Sequence, residues 1–534
     1  MNHEHNPLFL STAIPYVNAA PHVGYAFELL IGDALARRAR QCEREVWLTA
    51  GTDDHGAKNA RAAADRGIST LELVTAHGAE FRRLLSALDV EVDDYLHTSR
   101  DPRHAPAVLE LWRRCAEAGD LYTKPYVGLY CAGCEAFLQT AELRDGGCPE
   151  HREAPELIEE TNWFFRLSRY REPILAALES GRLRVEPRER LNEALSFVRA
   201  GLSDLSVSRS RDRTRAWGIP VPGDPTQVIY IWFDALASYL ASLGFPATDG
   251  NFSRYWQTAG GAREHLIGKG ILRFHAVYWP AILLSAGLPL PSAIKAHGYV
   301  TLEGDKIGKT RGNGVDPFAL VERYGASAVR FYCLRHLHTT KDSDFRLERL
   351  REAHDSELAG KLGNLVQRAI ALALRHPQLE LLPPGTAVSD DDLELGRAAE
   401  RAARGVGEAV QNFALHDALA SILELVAAAN RYADAQQPWI LSRRALAAKS
   451  GAAADDLLAQ LGHVLWQLCE ALRVTAVLLW PFLPVAARDI ANRLGIPEKQ
   501  LLRSTWARFG IGKRFRPCAG PALFPRLAGA EKTD

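Results

Sequence analysis

The first regular pattern is "PLFLSTAIPYV", a short apolar run closed by proline and polar residues. "NAAPHVGY" follows, and then "AFELLIGDALARRARQ", in which apolar positions recur at helical spacing. Run, punctuation and periodic stretch predict strand, turn and helix. "EVWLTAGTDDHG" is a second apolar run that ends in a polar loop. Strands alternating with helices predict a parallel sheet covered on both faces. Ligands bind such sheets beyond the carboxyl ends of the strands, which puts His22, Asp53, Asp54 and His55 on the binding rim.

Near residue 120 the pattern breaks into "YCAGCEAFLQTAELRDGGCPEHREAPE", which is loop-like and cysteine-rich. The alternation returns with "VIYIWFDAL", "HLIGKG", "ILRFHAVYWPAILLSAG" and "AIKAHGYVTL". After about residue 350 no strand pattern remains; four long stretches with helical periodicity predict a helical bundle. The expected fold is α/β, a Rossmann-like parallel-sheet domain split by an insertion and followed by an α-helical bundle. The boundaries drawn are 1–115 and 216–300 for the two halves of the sheet domain, 116–215 for the insertion, 301–360 for a loop-bearing region, 361–527 for the bundle and 528–534 for a frayed tail.

Composition changes this picture little. With 534 residues, 47% hydrophobic and 24% charged, the chain has ordinary globular composition and length for several domains. Lys plus Arg equals Asp plus Glu at 64 each, so any basic footprint for a nucleic acid must be local. "MNHEHNPLFL" has no basic start before an apolar run, and "VTAVLLWPFLPVAA" is too short for a membrane span. A soluble cytoplasmic protein with reduced thiols is expected. Met1 is the only methionine. Drift in an Ala-, Arg- and Leu-rich chain explains that; synthesis under methionine scarcity is the sharper alternative.

Three constellations carry chemistry. Cys131-x-x-Cys134 and Cys148-x-x-His151 form two elbows separated by thirteen residues, a spacing that brings four ligands into a closed tetrahedron for structural zinc. Ordinary buried cysteines are the bland alternative. Cys42, Cys115, Cys333, Cys469 and Cys518 have no such spacing. His22 and Gly24 fall at a helix N-terminus, where free N–H groups and the dipole favour an anion; a capping histidine explains the same residues. In "HGYVTLEGDKIGKTRGN", Lys306 and Lys309 lie three apart in a loop punctuated by Gly304, Gly308, Gly312 and Gly314. Paired cations on flexible backbone suit closure on a polyphosphate.

"PYVNAAPHVGY", "GTDDHG", "RFHAVYWPAILLSAGLPLP", "HGYVTLEGDKIGKTRGN", "GNLVQR" and "NRYADAQQPW" occur in the order of a methionyl-tRNA synthetase, a class I aminoacyl-tRNA synthetase. The resemblance runs from about residue 7 to "ALFPRL" near residue 527, and the Cys/His elbows resemble the single zinc knuckle of a bacterial type. It implies an ATP-dependent ligase (EC 6.1.1.10) that makes methionyl-adenylate from L-methionine and transfers the amino acid to tRNA-Met. It implies one structural Zn2+ per chain and ATP with Mg2+ as substrate. No membrane is involved, and a monomer is expected because no C-terminal domain is appended.

By the same resemblance the methionine slot is Ala13, Ile14, Tyr16, Trp232, Tyr239, Phe274 and His275, with Asp53 for the ammonium. These types suit the ligand, since aromatics favour a polarisable sulfur and a carboxylate an ammonium. Leu236 stands where proline is common. The catalytic residues implied are His22, Lys306 and Lys309, with Gly24, Tyr25 and Thr310 added to them around ATP. Several positions depart from the family there. Tyr25 replaces the second signature histidine, Gly308 and Thr310 replace two serines, and Gly270 stands where an aspartate is usual near the nucleotide ribose. Ile307 takes the place of the signature methionine. Asn364, Arg368 and Trp439 are implied to read the anticodon through base edges and stacking. The departures keep two other readings open: a specialised paralogue, inhibitor-resistant or biosynthetic, and a non-catalytic tRNA-binding relic.

Overall fold

The computed structural model describes residues 6–131, 136–138, 140, 143–149, 153–307, 314–383, 389–448 and 451–526, without the side chains of 136, 137 and 306. Six short strands form one sheet: β1 (Leu8–Ser11), β2 (Val46–Thr52), β3 (Asp94–His97), β4 (Arg184–Glu186), β5 (Ala262–Gly268) and β6 (Ala293–His297). Their order is β3-β2-β1-β5-β6-β4, and every pairing is parallel. Alternation along the strands divides the core. Leu8, Leu10, Leu48 and Leu266 enter one apolar cluster, whereas Phe9 and Ile267 enter the other on the opposite face. Strands covered on both sides read as continuous apolar runs, which is why β1 and β2 are legible in the sequence.

Helix α1 (Val23–Gln41) starts where His22 caps it, the imidazole Nδ1 accepting the Gly24 N–H at 3.1 Å. It is buried nearly all round; Asp33, Arg37 and Gln41, four apart, lie along one seam, and Glu28 is buried on another face. Buried polar groups need partners. Asp33 receives Arg37 at 2.9 Å and Arg330 at 2.6 Å. Arg330, 1% exposed, also donates to the carbonyls of Leu88 and Phe482. Gln41 Nε2 donates to the carbonyls of Val477 and Leu501 at 2.8 and 2.7 Å. One end of α1 thus carries the signature histidine while the other is hydrogen-bonded to the helical bundle.

Three further helices of the sheet domain matter to the site: α2 (Thr70–Ala87), α3 (His104–Glu117) and α4 (Ile231–Ala241). The bundle comprises α5 (Asn364–Leu374), α6 (Asp390–Gln411), α7 (Leu415–Gln436), α8 (Pro438–Ala447), α9 (Ala452–Leu479) and α10 (Pro484–Leu494). Beyond Asp344 the described residues hold no strand, only a bridge between Leu381 and Phe515. No helix among the described residues is long and apolar enough to cross a membrane.

The insertion is less separate than the boundaries 116–215 suggest. A four-stranded antiparallel sheet is built on Leu121–Cys131 and Glu156–Phe165, as a discrete unit would be. The chain then returns to the main sheet, because β4 pairs with β6 as its edge strand. Ile174, Leu178, Val185 and Val198 join the same apolar cluster as Phe9 and Ile267. Three residues, "RVE", are too few and too polar to be read as a strand. The boundary at 215/216 likewise divides a small sheet, since Ser208–Ser210 pairs with Asp224–Ile229.

Candidate active site

The sheet order reverses between β1 and β5, so a crevice opens beyond Ser11 and Gly268. On one side of it Trp232 lies flat on Phe274, with ring centroids 3.7 Å apart and planes 9° from parallel. The His275 ring stands edge-on to Trp232 at 6.3 Å. Tyr239 Oη and His275 Nε2 are 2.8 Å apart, and His275 Nδ1 is 3.0 Å from the carbonyl of Ile271. A carbonyl only accepts, so Nδ1 carries the proton and Tyr239 donates to Nε2. Burial holds His275 down to about 4 and pushes the Tyr239 phenol far up, so both are neutral at pH 7. Behind them His265 Nδ1 meets Ser11 Oγ at 2.7 Å, and Nε2 accepts the Trp279 indole N–H at 3.1 Å. Burial, with His275 beside it, keeps His265 neutral too. The result is an aromatic slot wall in which Tyr239, His275 and His265 are uncharged, a chemistry suited to a long apolar side chain with a soft heteroatom.

Asp53 closes the polar end. It is 4% exposed, forms a parallel bridge with Tyr16, and its N–H donates to Pro15 at 2.9 Å. Its charge is felt at Tyr239. The loop bearing it is fixed by Asn59, whose Nδ2 lies 2.8–3.0 Å from the carbonyls of Asp53, Asp54 and His55. Asp54 turns away and receives Thr52 and Ser99 hydroxyls. Below, Asp234 of α4 meets His55 Nδ1 at 2.7 Å with one oxygen and His104 Nε2 of α3 with the other. Burial raises the Asp234 carboxyl, but His55 and His104 outweigh it and hold it well below the usual range. Burial lowers His55, and the carboxylates of Asp234 and Asp54 reverse that to leave it raised. This His–Asp–His clamp joins the Asp53 loop to the helix bearing Trp232 and Tyr239. Glu28 makes a second clamp, accepting the Ala13 N–H at 2.7 Å and lying 2.9 Å from His297 Nε2.

Across the crevice lies the N-terminus of α1. A Cβ on Gly24 would stand 2.9 Å from His22 Cε1, so the glycine is what lets the imidazole fold over the helix start. The incoming loop is close by: Val23 N–H donates to Val315, and Gly314 approaches the His22 Cβ. An open cleft runs past Pro21, His22, Arg83, Gly314 and Phe318. Tyr25 does not line it; the ring is 7% exposed and rests on Phe81 of α2 in the core, 5.1 Å between centroids. Lys306 pairs through its backbone with Thr301, and Ile307 is buried at 4% exposure. Gly308, Lys309 and Thr310 lie outside the described residues.

Of the sequence-derived slot, Trp232, Tyr239, Phe274 and His275 meet directly, with Tyr16 and Asp53 bridged beside them; Ala13 is held by Glu28 and Ile14 follows it in the same loop. Leu236 is buried in the core of α4. Ser11, Glu28, His265 and Asp234 were not singled out by sequence. Their signal was a polar residue within an otherwise apolar run. On the bundle, Asn364 and Arg368 open α5, and the Arg368 guanidinium lies 4.4 Å from the Trp439 ring of α8. Asn364 is exposed and the other two are half-buried. In the insertion, Cys131 and Cys148 are both buried at 2% exposure, one ending the Leu121–Cys131 strand and the other following a tight turn at Arg144–Gly147. Cys134 and His151 lie outside the described residues.

A family model described as tRNA synthetases class I (M) matches residues 8–154 and 140–370. The methionine–tRNA ligase of Brucella suis biovar 1 (strain 1330) is 37% identical over 531 residues, 98% of this chain and 99% of that one. The methionine–tRNA ligase of Mycobacterium tuberculosis (strain H37Rv) is 39% identical over 526 residues, 97% of this chain and 98% of that one. The structure of M. tuberculosis methionyl-tRNA synthetase in complex with methionyl-adenylate superposes with a TM-score of 0.89 at 39% identity, covering 98% of this chain and 100% of that one. The free form of the same relative gives 0.83, with 99% and 100% covered. These likenesses extend over nearly the whole length, and the chain belongs to the methionyl class I tRNA synthetases.

Proposed function

We propose that the chain is a methionine–tRNA ligase, a reading carried by the neutral aromatic slot that abuts Asp53 on the rim beside the N-terminus of α1. Methionine enters with its thioether against Trp232, Phe274, Tyr239 and His275 and its ammonium toward Asp53. Ala13, Ile14 and Tyr16 line the approach. A carboxylate oxygen of methionine attacks the α-phosphorus of ATP, which enters as its Mg2+ complex. The bond to the bridging oxygen breaks, and pyrophosphate leaves with the electron pair. Negative charge grows on the phosphates, and fixed cations and N–H donors there lower the barrier. Lys306, Lys309 and His22 fill that role, with Gly24 and Thr310 around the phosphates. A terminal ribose hydroxyl of tRNA-Met then attacks the activated carbonyl. The acyl–phosphate bond breaks, AMP leaves, and the hydroxyl proton passes to the departing phosphate or solvent.

The Arg368–Trp439 stack, with Asn364 beside it, offers a planar cation, an indole and an amide to unstacked anticodon bases. Cys131, Cys134, Cys148 and His151 would hold one Zn2+. Two buried thiols placed at a strand end and a turn fit a closed structural site, which ties the insertion together without taking part in the reaction. A cytoplasmic monomer is the accompanying reading. Methionine-dependent exchange of pyrophosphate into ATP tests the function, with zinc-loaded protein and then with charging of tRNA-Met. Absence of exchange by folded protein would overturn the reading and leave a tRNA-binding relic.

A further inference from the structure

The stretch 338–344 touches the crevice on one side and the helical bundle on the other. On the crevice side, Gly298, the first residue beyond β6, donates its N–H to the Thr339 carbonyl at 3.1 Å. A Cβ on Gly298 would stand 2.1 Å from the Lys341 carbonyl oxygen, so the two backbones are pressed together. Asp342 accepts the Tyr299 N–H at 2.9 Å and pairs at 2.7 Å with Lys269, the first residue beyond β5. Ser343–Asp344 then adds a parallel strand to Val300–Thr301, the start of the hairpin that bears Lys306. On the bundle side, Thr339 Oγ1 accepts the N–H of Leu415, the first residue of α7, at 3.0 Å. The same oxygen lies 3.2 Å from His416 Nδ1. The His338 ring rests against the His416 ring, 4.1 Å between centroids and 38° between planes.

Both imidazoles are wired for the neutral form. His338 Nδ1 receives the backbone N–H groups of Thr340 and Lys341, each at 3.2 Å. An atom that accepts two N–H groups carries no proton, so the proton of this ring is on Nε2. A second proton would have to enter at Nδ1, against both donors. The Thr339 hydroxyl, which accepts from Leu415, donates to His416 Nδ1 when that ring is neutral. Charging His416 would turn the hydroxyl away. Two charged rings in contact would also repel. The charged groups facing the pair are Arg335 from the helix Ala326–His336, Lys341 from the stretch itself and Asp417 from α7. Burial lowers both histidines, with His416 and Lys341 adding to it at His338 and Arg335 and Lys341 at His416; Asp417, 3.6 Å from His416, opposes without reversing it. We propose that 338–344 is an acid-sensitive joint between the bundle and the crevice. Neutral His338 and His416 hold α7 against the strand ends, and protonation of the pair releases it, so that tRNA-Met on the bundle is no longer presented to the adenylate. Neither histidine touches a substrate; both are positioning residues.

The inference rests on the ligase reading and is tested by following charging of tRNA-Met and methionine-dependent pyrophosphate exchange from about pH 7.5 to about pH 5.5, on either side of the ordinary histidine value. Exchange uses the crevice alone, so the ratio of charging to exchange isolates the joint. In the wild type that ratio is expected to fall roughly tenfold over the range, the scale of one proton taken up per pH unit. His338→Asn combined with His416→Gln keeps an acceptor oxygen at each site and cannot charge, so its ratio should stay flat. His416→Lys carries its charge throughout and should show the low ratio already at the upper pH. Small-angle scattering reads the release without turnover: the radius of gyration should grow in acid for the wild type and not for the double variant. A wild-type ratio that is flat with pH, or a fall that the double variant shares, would overturn the joint. Absence of exchange at every pH would overturn the ligase reading instead. A radius of gyration with the same pH dependence in both proteins would then overturn the joint as well.

Discussion

The methionine slot and the nucleotide rim stand on the same strand ends but are specified by different means. In the slot the imidazoles and the phenol are fixed by hydrogen bonds: Tyr239 with His275, His275 with Ile271, His265 with Ser11 and Trp279. On the rim the decisive feature is the missing side chain. His22 folds over Gly24, and Tyr299 fills the space above Gly270. Residue type sets the slot, and vacated volume sets the rim. Substitutions in the slot should therefore act through protonation and desolvation, whereas those on the rim act through space and charge on the phosphates.

The clamp beneath the slot gives the largest expected effect. Asp234→Ala leaves His55 and His104 buried beside a void, and breaking one side of a buried pair costs about 3–5 kcal/mol. Denaturant melting should show that loss. A drop below 1 kcal/mol would mean the slot does not depend on its buried charges. Lys306→Ala should lower kcat for pyrophosphate exchange by about 10²–10³, the scale of a removed electrostatic stabiliser. The fold and tRNA binding should persist. Unchanged turnover would show that the rim acts without its first lysine.

The protonation states supply a third test. Burial depresses His275 to about 4 in the fold, so the unfolded chain binds more protons between that value and about 6.5. Its contribution is present above pH 6.5 and lost as pH falls toward 4, on the order of 3 kcal/mol. His55 is raised, so its contribution is present below pH 6.5 and fades as pH climbs through its elevated value. Wild-type stability should therefore fall on both sides, and His275→Gln should flatten the acid limb alone. An acid limb unchanged by that substitution would remove the neutral imidazole from the account.

Much of this is legible in the sequence. Apolar runs gave β1 and β2 because strands buried on both faces leave continuous hydrophobic stretches. The slot residues emerged from six ordered blocks, since aromatic side chains in α4 read by themselves as core. What escaped notice was determined by tertiary context. Glu28 and Asp234 sit inside apolar helices, and only their partners across the fold, Ala13, His297, His55 and His104, explain them. The edge strand β4 has three residues and owes its conformation to pairing with β6. Tyr25 matches a signature position, yet its neighbour Phe81 draws the ring into the core.

The smallest effect is expected at Ile307. It stands in the signature loop where the family has methionine, and it is buried at 4% exposure in the main apolar cluster. If departures on the rim are matters of volume, Ile307→Met is a volume-conserving exchange in a packed site and should cost less than about 1.5 kcal/mol. Methionine is unbranched and adapts to irregular space. The kcat for pyrophosphate exchange should move less than about 3-fold, well short of the change expected for Lys306→Ala. A larger kinetic change at unchanged stability would show that the loop reads the branched side chain itself. The rim would then be specified by residue type, as the slot is, and the contrast between the two regions would collapse.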